Sequence, residues 1–481
     1  MEGVQGEAVN LTSAAVARIA AAFVRWLSRR AGTKPRDITI AVGNDSRLTA
    51  DALRHETLAA IGSLNARTLD CGLSSTPAMF MSTIFDETKA DGAIMITASH
   101  LPFNRNGMKF FTRDGGLEKS DIKEILIEAA KERPEEEGRA SHPCALITRY
   151  ARFLRDMIRE GIGTSASQPL KGMHIVVDAG NGAGGFFATE VLTPLGADVS
   201  GSQFLNPDGH FPNHVPNPED KAAMDAIRDA VLKSKADLGL VFDTDVDRMS
   251  AVLPDGTEIS RNALIAMMAA ILAPDYPGST IVTDSVTSDE LTDFLENELH
   301  LKHHRFQRGY KNVINECIRL NESGVVSPLA IETSGHGALK ENHYLDDGAY
   351  LAVKLIIASA KLKGEGKELK DLIGALKYPA EAREIRFPIN APDFHAVGDK
   401  ALKIFADRAK ARGIKIASPS YEGVRLVFDE GWALLRMSLH DPNMPLNVEG
   451  RSVGSLSKIL PVISELLVDI EGLDVSPLRK S

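Results

Sequence analysis

The sequence predicts a multi-domain α/β protein whose last domain is richer in strand. Segments with helical spacing of apolar residues alternate with short apolar runs, an order typical of parallel or mixed sheets. The chain has 481 residues, which is enough for several domains of roughly 100–200 residues each. We therefore predict three similar α/β domains with mixed sheets, followed by a C-terminal α+β domain.

The first domain, predicted over residues 1–152, opens on an amphipathic helix. In Thr12–Arg30 the apolar side chains recur every three or four residues. Asp37–Gly43 is predicted to be a buried strand, and Gly92–Ile96 is a further apolar run of strand length. The charged stretch Lys131–Pro143 is predicted to be a solvated loop near the end of this domain.

Three further domains are predicted from the same alternation. Residues 153–262 and 263–380 contain the apolar runs GMHIVVDAG and STIVTDSVTS, each leading into small and polar residues. Residues 381–481 start with the stretch EAREIRFPIN and end in the apolar segment SLSKILPVISELLVDI. The strand-like alternation of the first stretch and the helical spacing of the last predict an α+β domain.

Charge and hydropathy argue against some classes of partner and indicate the cellular compartment. The formal net charge is −10, and no basic stripe is long enough for a nucleic-acid binder, so we expect no nucleic-acid partner. Because no apolar run reaches the roughly 20 residues that span a bilayer, we expect no membrane partner. With no signal-peptide pattern at its start, the chain is expected in the cytoplasm, or in a plastid or other organelle if an N-terminal targeting segment is missing.

The cysteines give no sign of a disulfide framework or a zinc cluster. Cys71, Cys144 and Cys317 are far apart in the sequence and form no CxxC pair. We predict reduced and mostly buried thiols.

Three aspartates alternate in DTDVDR, directly after the apolar run LGLVF. On a strand, Asp243, Asp245 and Asp247 would share one face with Cα atoms about 7 Å apart. On a loop at a strand end they could converge on one hard cation. Crowded carboxylates repel each other unless a metal or an arginine neutralises them. Mg²⁺ prefers oxygen ligands and keeps positions open for phosphate oxygens, so this segment is a candidate magnesium site.

The segment TASHLPFNRNGMK places a hydroxyl, an imidazole and an amine directly after a strand. Ser99 is a weak nucleophile unless a base or a metal activates it. His100 and Lys109 are available proton carriers, and the Asn-Gly turn would fold Lys109 back toward Ser99. No Gly-x-Ser-x-Gly elbow surrounds Ser99, which argues against an esterase. A serine hydroxyl together with an acidic triad suggests phosphate chemistry.

Two motifs leave other functions open. GNGAGG matches the dinucleotide-binding pattern GxGxxG, which would suit a nicotinamide enzyme, although a tight strand-to-helix turn also explains it. DTDVDR could be the aspartyl-phosphate loop DxDx(T/V) of a phosphatase, but Asp247 occupies the place of the threonine or valine.

The motifs together resemble those of the α-D-phosphohexomutases, the phosphoglucomutase and phosphomannomutase family. TASHLPFNRNGMK is similar to the phosphoserine loop TASHNPxxxNGxK, DTDVDR to the metal loop DGDxDR, and ETSGH to the sugar-binding loop GExSGH. VGNDSR matches GxDxR, and GLSSTP, DAGNGAGG, PDGHFPNHVPNPED and DDG also resemble family segments. The matches follow the family order over nearly the whole chain.

The resemblance implies four domains around a central cleft and an intramolecular phosphotransferase. Its substrates would be hexose 1-phosphate and hexose 6-phosphate, of glucose or mannose or both, interconverted through a phosphoserine and a bisphosphate intermediate. It implies one Mg²⁺ per chain and a hexose bisphosphate activator, and we expect a monomer or weak homodimer.

The resemblance also assigns roles to residues of the first two domains. Ser99 would carry the phosphoryl group, and an oxygen of its phosphate would hold Mg²⁺ with the three aspartates Asp243, Asp245 and Asp247. Arg47 and Arg248 would brace the phosphoserine. His100 and Lys109 would assist proton transfer at the sugar hydroxyl.

Substrate binding is assigned in the same way. Glu332 and Ser334 would hold sugar hydroxyls with His336 beside them, and Lys311 matches the basic position of the third domain. The family's phosphate loop RxSGTEP reads RMSLHDP here, so the phosphate-binding residues would be Arg436, Ser438 and, when protonated, His440.

Three substitutions in that loop support an alternative function. Leu439, His440 and Asp441 stand where the family has glycine, threonine and glutamate. A glycine lets backbone amides approach an anion closely, and leucine hinders this. The alternative is a catalytically weak or inactive sugar-phosphate-binding homologue on the same fold.

Overall fold

The computed structural model of the chain describes residues 11–134, 138–438 and 441–480. His440 therefore lies outside the described residues. Within the described ranges, every helix is too short or too polar to cross a membrane.

Helices and strands alternate through most of the described chain. The helices are α1 (Ser13–Ala31), α2 (Ala50–Ser63), α3 (Thr76–Met81), α4 (Lys119–Ala129), α5 (Leu146–Ile162), α6 (Lys221–Ser234), α7 (Arg261–Leu272), α8 (Asp289–Asp293), α9 (Tyr310–Glu322), α10 (Gly348–Gly364), α11 (Phe394–Ala411) and α12 (Ser455–Leu467). The strands are β1 (Thr39–Asn44), β2 (Arg67–Leu73), β3 (Gly92–Ile96), β4 (Met108–Thr112), β5 (Gly115–Gly116), β6 (His142–Pro143), β7 (Ile175–Asp178), β8 (Leu238–Phe242), β9 (Met249–Val252), β10 (Glu258–Ile259), β11 (Thr280–Thr283), β12 (Lys302–Arg305), β13 (Leu329–Ile331), β14 (Gly337–Leu339), β15 (Leu345–Asp346), β16 (Glu381–Pro388), β17 (Lys415–Ile416), β18 (Val424–Phe428), β19 (Gly431–Leu435) and β20 (Asn443–Gly450).

The described chain divides into two compact units. The first comprises Met1–Ile271 and Ser334–Leu372, and the second comprises Leu272–Thr333 and Ile373–Ser481. The predicted domain boundaries at residues 152, 262 and 380 stay predictions.

The first unit opens with a mixed sheet in the order β5-β4-β3-β1-β2-β6. Strands β1, β2, β3 and β6 run parallel, whereas β4 and β5 are antiparallel to their neighbours. Helices α1 and α2 share one apolar core with β1 and β3. Since β1 and β3 are adjacent and parallel, the loops that follow them emerge at the same edge of the sheet.

Part of the predicted loop Lys131–Pro143 differs from expectation. Its last two residues form β6, which pairs with β2 in parallel, and the N–H of Cys144 donates to Asp70 O at 2.8 Å. The sequence did not signal this strand, because two residues are too short to show a periodic pattern.

The second sheet of this unit has the order β10-β9-β8-β7. Strands β7 and β8 are parallel, and β8 and β9 form an antiparallel hairpin. Helix α6 packs on the sheet through Met224, Ile227 and Val231, which share a core with β7, β8 and β9. The hairpin connection Asp243–Arg248 is the DTDVDR segment.

The sheets within residues 263–380 and 381–481 are of the types predicted for the third and fourth domains. In the second unit, β12, β11 and β13 lie side by side in parallel, and in the first unit β14 and β15 form an antiparallel pair. The C-terminal sheet, also in the second unit, is antiparallel in the order β16-β20-β19-β18-β17, with α11 and α12 in its apolar core. The prediction of three α/β domains with mixed sheets and a last α+β domain is confirmed.

Candidate active site

Ser99, the predicted nucleophile, lies in the loop that follows β3. Ser99 has a backbone φ of 52°, a conformation that is strained for residues other than glycine. Its N–H donates to Thr97 Oγ1 at 2.9 Å, and the Thr97 hydroxyl donates to Asp45 Oδ2 at 2.6 Å. Asp45 lies in the loop after β1. Two adjacent strand ends therefore hold the serine in its conformation.

Arg47 is buried and holds the same loop through hydrogen bonds. Its guanidinium donates to the carbonyl oxygens of Ser99, Leu101, Pro102 and Arg105, at 2.6 Å to Leu101 O and 2.7 Å to Pro102 O. These contacts position the loop backbone, so Arg47 acts here through the loop. The predicted contact of Arg47 with a phosphoserine stays a prediction.

The hydroxyl of Ser99 has three polar neighbours. It donates to Asp243 Oδ2 at 3.2 Å and accepts from Arg248 Nη2 at 3.3 Å. His100 Nδ1 is 3.4 Å away. The structure thus brings the predicted nucleophile next to one aspartate of the acidic triad and next to a guanidinium.

The three aspartates of DTDVDR lie on a loop rather than along a strand. All three are buried, and one carboxylate oxygen from each lies within 4.8 Å of the others. The loop arrangement considered from the sequence is therefore the one that the structure has.

The glycine-rich segment GNGAGG supports this loop. A Cβ on Gly182 would lie 2.6 Å from Thr244 O, and the N–H of Ala183 donates to the same oxygen at 2.8 Å. Glycine is needed because the two backbones touch. The motif therefore has a structural role here as the turn that packs against the acidic loop.

Two cations neutralise the acidic loop. Lys109 Nζ donates to Asp245 Oδ2 at 2.7 Å and to Asp247 Oδ2 at 2.6 Å. Arg248 Nε donates to Asp243 Oδ2 at 3.1 Å. Burial and the charge of Asp247 raise the pKa of Asp243 well above its usual range. Burial alone would raise the pKa of Asp247, but the charges of Lys109, His336 and Arg248 hold it below its usual range.

The loop still has carboxylate oxygens that no described residue satisfies. Asp245 Oδ1 and Asp247 Oδ1 are buried and accept no hydrogen bond from the described part of the chain. Burying an ionised oxygen in this way is costly unless a cation binds it. The donor set consists only of oxygens, so these residues fit a hard divalent cation such as Mg²⁺.

His336 adds a third positive group at this loop. Its Nδ1 is 2.5 Å from Asp346 Oδ2 and 3.8 Å from Asp247 Oδ1. Burial disfavours the charged ring, but Asp346 and Asp247 overcome this effect and raise the pKa of His336 to about 9. Gly335 permits the approach, because a Cβ there would lie 2.7 Å from Met249 O. The ring is therefore protonated at neutral pH.

His100 differs from His336 in charge. Burial, followed by the positive charges of Arg248 and His336, lowers the pKa of His100 to about 3. The imidazole is therefore neutral at physiological pH, and its protonated form is disfavoured.

Three residues with contacts at this site had no role assigned from the sequence. Thr76 donates its hydroxyl to Asp245 Oδ2, Thr97 orients Ser99, and Asp346 pairs with His336. They lie in the segments GLSSTP, TASH and DDG, which resemble family motifs. The contacts could not be read from those motifs, because Thr76 and Asp245 are 169 residues apart.

The second unit holds other predicted substrate-binding residues. Glu332 is buried after β13 and accepts from Gly309 N at 2.6 Å, and Lys311 lies in the first turn of α9. Arg436 and Ser438 follow β19.

Arg436 is placed as a buried anion ligand would be. It is 3% exposed, and its Nε has no hydrogen-bond partner among the described residues. Its Nη1 is 3.9 Å from Glu422 Oε1. Burial lowers the pKa of Arg436, and Glu422 opposes that shift.

Ser334, another predicted substrate-binding residue, is buried in the first unit.

We expect Mg²⁺ to stabilise the protein through the acidic loop. At free Mg²⁺ ten times its Kd, the free energy of unfolding should rise by about 1.4 kcal/mol, and Asp245→Asn should abolish the rise because it removes a buried ligand charge. Thermal unfolding with and without Mg²⁺ measures this. Asp255→Asn, at an exposed aspartate of the β9–β10 turn, is the matched control. An equal rise in both variants would contradict the assignment.

The stability of the metal-free protein should fall at alkaline pH because of His336. Its folded pKa of about 9 exceeds the ordinary value of 6.5, so its contribution is complete below pH 6.5 and is lost as the pH rises through about 9. The loss should reach about 3 kcal/mol. Urea unfolding between pH 6 and 10 should show this fall, which His336→Gln should reduce. His55→Gln, at an exposed histidine of α2, is the control and should leave the alkaline fall in stability unchanged. If His336→Gln shows a fall as large as that of the wild-type protein, deprotonation of His336 does not cause it.

Comparison with known protein families gives three consecutive matches. The chain matches "Phosphoglucomutase/phosphomannomutase, alpha/beta/alpha domain I" over residues 1–137, domain II over residues 150–256 and domain III over residues 260–378. The matched stretches contain the serine loop, the acidic loop and the ETSGH loop.

Curated relatives and solved structures agree with these matches. The chain is 27% identical over 455 residues to a phosphomannomutase/phosphoglucomutase of Pseudomonas putida, covering 93% of this chain and 91% of that protein. It is 27% identical over 477 residues to a phosphoglucosamine mutase of Corynebacterium jeikeium, covering 98% of each. A crystal structure of a phosphoglucomutase/phosphomannomutase family protein from Burkholderia thailandensis has the same fold, with a TM-score of 0.78, 23% identity and coverage of 98% of this chain and 96% of that one.

These relatives are phosphomutases, which are isomerases of the intramolecular phosphotransferase type. The resemblance stated from the sequence motifs and the predicted enzyme class are both confirmed. The chain belongs to the α-D-phosphohexomutase superfamily.

Proposed function

We propose that the chain interconverts hexose 1-phosphate and hexose 6-phosphate, of glucose or mannose or both, through a phosphoserine at Ser99 and a hexose bisphosphate intermediate. The observation that carries the proposal is the setting of the Ser99 hydroxyl. It lies 3.2 Å from Asp243 Oδ2 and 3.3 Å from Arg248 Nη2, at the loop where three buried carboxylates converge.

Two phosphoryl transfers balance the reaction. In the first, the bond between phosphorus and Ser99 Oγ breaks while phosphorus bonds to the free hydroxyl oxygen of the hexose monophosphate, whose proton passes to a base. In the second, Ser99 Oγ attacks the other phosphate of the bisphosphate, the bond between that phosphorus and the sugar oxygen breaks, and the sugar oxygen takes back the proton to give the isomeric monophosphate. A hexose bisphosphate in solution would act as activator by loading an unmodified Ser99.

The residues around Ser99 fit the demands of phosphoryl transfer, which depends mainly on positioning and charge neutralisation. Arg248 donates at the serine oxygen and offsets charge on the phosphoryl group. Arg47 keeps the loop in place through its carbonyl contacts. We assign assistance of proton transfer at the sugar hydroxyl to His100, whose Nδ1 is 3.4 Å from Ser99 Oγ.

Lys109 has a different part in this proposal from the one that its sequence position suggested. Its ammonium bonds to Asp245 and Asp247 at 2.7 and 2.6 Å, so it offsets the negative charge of both carboxylates. We propose that Lys109 assists proton transfer only through this electrostatic contribution.

One Mg²⁺ per chain would be held by Asp243, Asp245, Asp247 and an oxygen on Ser99, where it would offset charge on the phosphoryl oxygens. The buried, unsatisfied Oδ1 atoms of Asp245 and Asp247 support this assignment.

The sugar is proposed to contact the ETSGH loop. The Glu332 carboxylate would accept hydrogen bonds from sugar hydroxyls, and the Ser334 hydroxyl would exchange hydrogen bonds with them. His336 would lie beside these two residues. Glu332 is held by Gly309 N at 2.6 Å, which orients its carboxylate. The protonated His336 ring would attract sugar oxygens that carry partial negative charge.

The phosphate that does not react is proposed to bind Lys311, Arg436, Ser438 and His440. The support is strongest for Arg436, whose Nε is buried without a partner in the described chain. Leu439 and Asp441, which differ from the family loop, favour the alternative of a weak or inactive sugar-phosphate binder. We further expect a monomer or weak homodimer located in the cytoplasm.

Ser99→Ala should reduce turnover at least about 1,000-fold, because it removes the phosphoryl acceptor. We would measure conversion of glucose, mannose and glucosamine 1-phosphates with Mg²⁺ and the bisphosphate activator, and the phosphate content of Ser99 by intact mass. Ser120→Ala, at an exposed serine in α4, is the matched control. If the wild-type chain binds a hexose phosphate but neither turns it over nor accepts phosphate on Ser99, the alternative holds.

Arg436→Met should raise KM for the preferred hexose phosphate roughly thirtyfold, with a smaller effect on kcat. A lost charged hydrogen bond costs about 2 kcal/mol, and the bound phosphate is held in both the ground state and the transition state. Steady-state kinetics provides the test, with Arg386→Met at a half-exposed arginine of β16 as control. An unchanged KM in Arg436→Met would remove Arg436 from the phosphate site.

A further inference from the structure

Two cysteines that are 73 positions apart in the sequence lie side by side in the first sheet. Cys71 is in β2, and Cys144 directly follows β6. Asp70 pairs with Pro143 in the parallel ladder, and the N–H of Cys144 donates to Asp70 O at 2.8 Å. In a parallel ladder this bond belongs to the Asp70–Pro143 pair, so Cys71 and Cys144, the next residues of the two segments, are neighbours at the end of the ladder.

Opposite residues in neighbouring strands suit disulfide geometry. Neighbouring strands are about 4.8 Å apart, and a disulfide spans Cα atoms about 4.4–6.8 Å apart. The thiols of Cys71 and Cys144 also influence each other electrostatically, so they lie near each other. The Cys71 thiol donates to Leu69 O at 3.6 Å in the reduced protein, and it must leave that acceptor to form the disulfide.

The two thiols differ in reactivity. Cys71 is 7% exposed, whereas Cys144 is only partly buried. The neighbouring Cys71 thiol lowers the pKa of Cys144 to about 7; burial opposes this shift, and the charge of Arg149 adds a smaller decrease. The neighbouring Cys144 thiol and burial raise the pKa of Cys71 well above its usual range. A thiolate is the nucleophile in thiol chemistry, so Cys144 is the attacking group and Cys71 the resolving one.

We propose that Cys71 and Cys144 form a peroxide-sensitive dithiol that closes reversibly into an intrachain disulfide. The Cys144 thiolate attacks an oxygen of hydrogen peroxide; the O–O bond breaks, the sulfur is oxidised to sulfenic acid, and the other peroxide oxygen leaves as hydroxide, which takes a proton from solvent to give one water. The Cys71 thiol then attacks Cys144 Sγ; the S–S bond forms, the S–O bond breaks, and the hydroxyl leaves as a second water with the Cys71 proton. Capture by Cys71 protects Cys144 from irreversible oxidation to sulfinic acid.

Cys317 provides an internal reference. It is fully buried in the second unit, and its thiol donates to Ser327 O at 3.3 Å. Burial should make Cys317 slow to react with peroxide.

The test uses the full-length wild-type protein treated with stoichiometric hydrogen peroxide, then alkylated and digested without reduction. Mass spectrometry should find a peptide that links Cys71 to Cys144 within one chain, lost on treatment with dithiothreitol, while Cys317 stays alkylatable. The proposal is overturned if peroxide leaves both thiols alkylatable, links two chains, or oxidises Cys317 as fast as Cys144.

Two substitutions test the roles within the pair. In Cys71→Ser, Cys144 should be trapped by dimedone as sulfenic acid and should pass on to sulfinic acid, which is not reduced by dithiothreitol. In Arg149→Gln, alkylation of Cys144 at pH 7 should slow severalfold, whereas Arg152→Gln, one turn further along α5, should leave the rate unchanged. Full recovery of the Cys144 thiol after peroxide treatment of Cys71→Ser would overturn the resolving role.

Discussion

Electrostatic repulsion among three buried carboxylates is the constraint on which the first unit depends. Asp243, Asp245 and Asp247 are each at most 2% exposed and converge within 4.8 Å. Two like charges at that distance repel by about 3 kcal/mol at an effective dielectric constant of 20. The loop is therefore stable only with positive partners, which Lys109 and Arg248 provide by direct contact.

The positive partners come from three separate parts of the chain. Lys109 is on β4, the strand that returns from the serine loop, and Arg248 ends the acidic loop itself. His336 enters where the chain returns to the first unit, and its backbone bridges to Arg248. Because Lys109, Arg248 and His336 belong to three different segments, the acidic loop is neutralised only when all three segments pack correctly.

The same balance bears on the phosphoserine that we propose at Ser99. A phosphoserine would add roughly two negative charges next to Asp243, so the site must already contain an excess of positive charge or bind a divalent cation. Arg248 contacts both Asp243 and the Ser99 hydroxyl, at 3.1 and 3.3 Å. The clamp of Arg47 on the loop carbonyls keeps that hydroxyl in place without using a charge that the phosphate would need.

The sequence by itself determined the fold class, the order of the motifs and the type of chemistry. Apolar runs and helical spacing are local properties, and a serine loop, an acidic loop and ETSGH in one order are specific enough to identify the superfamily. Tertiary structure alone decided which partners these residues have. It directed Arg47 to the loop backbone, Lys109 to two aspartates and Thr76 to Asp245, and it brought Cys144 next to the strand that contains Cys71. The physical reason is that hydrogen bonds, burial and charge depend on distance in space, and strand pairing brings together residues that are far apart along the chain.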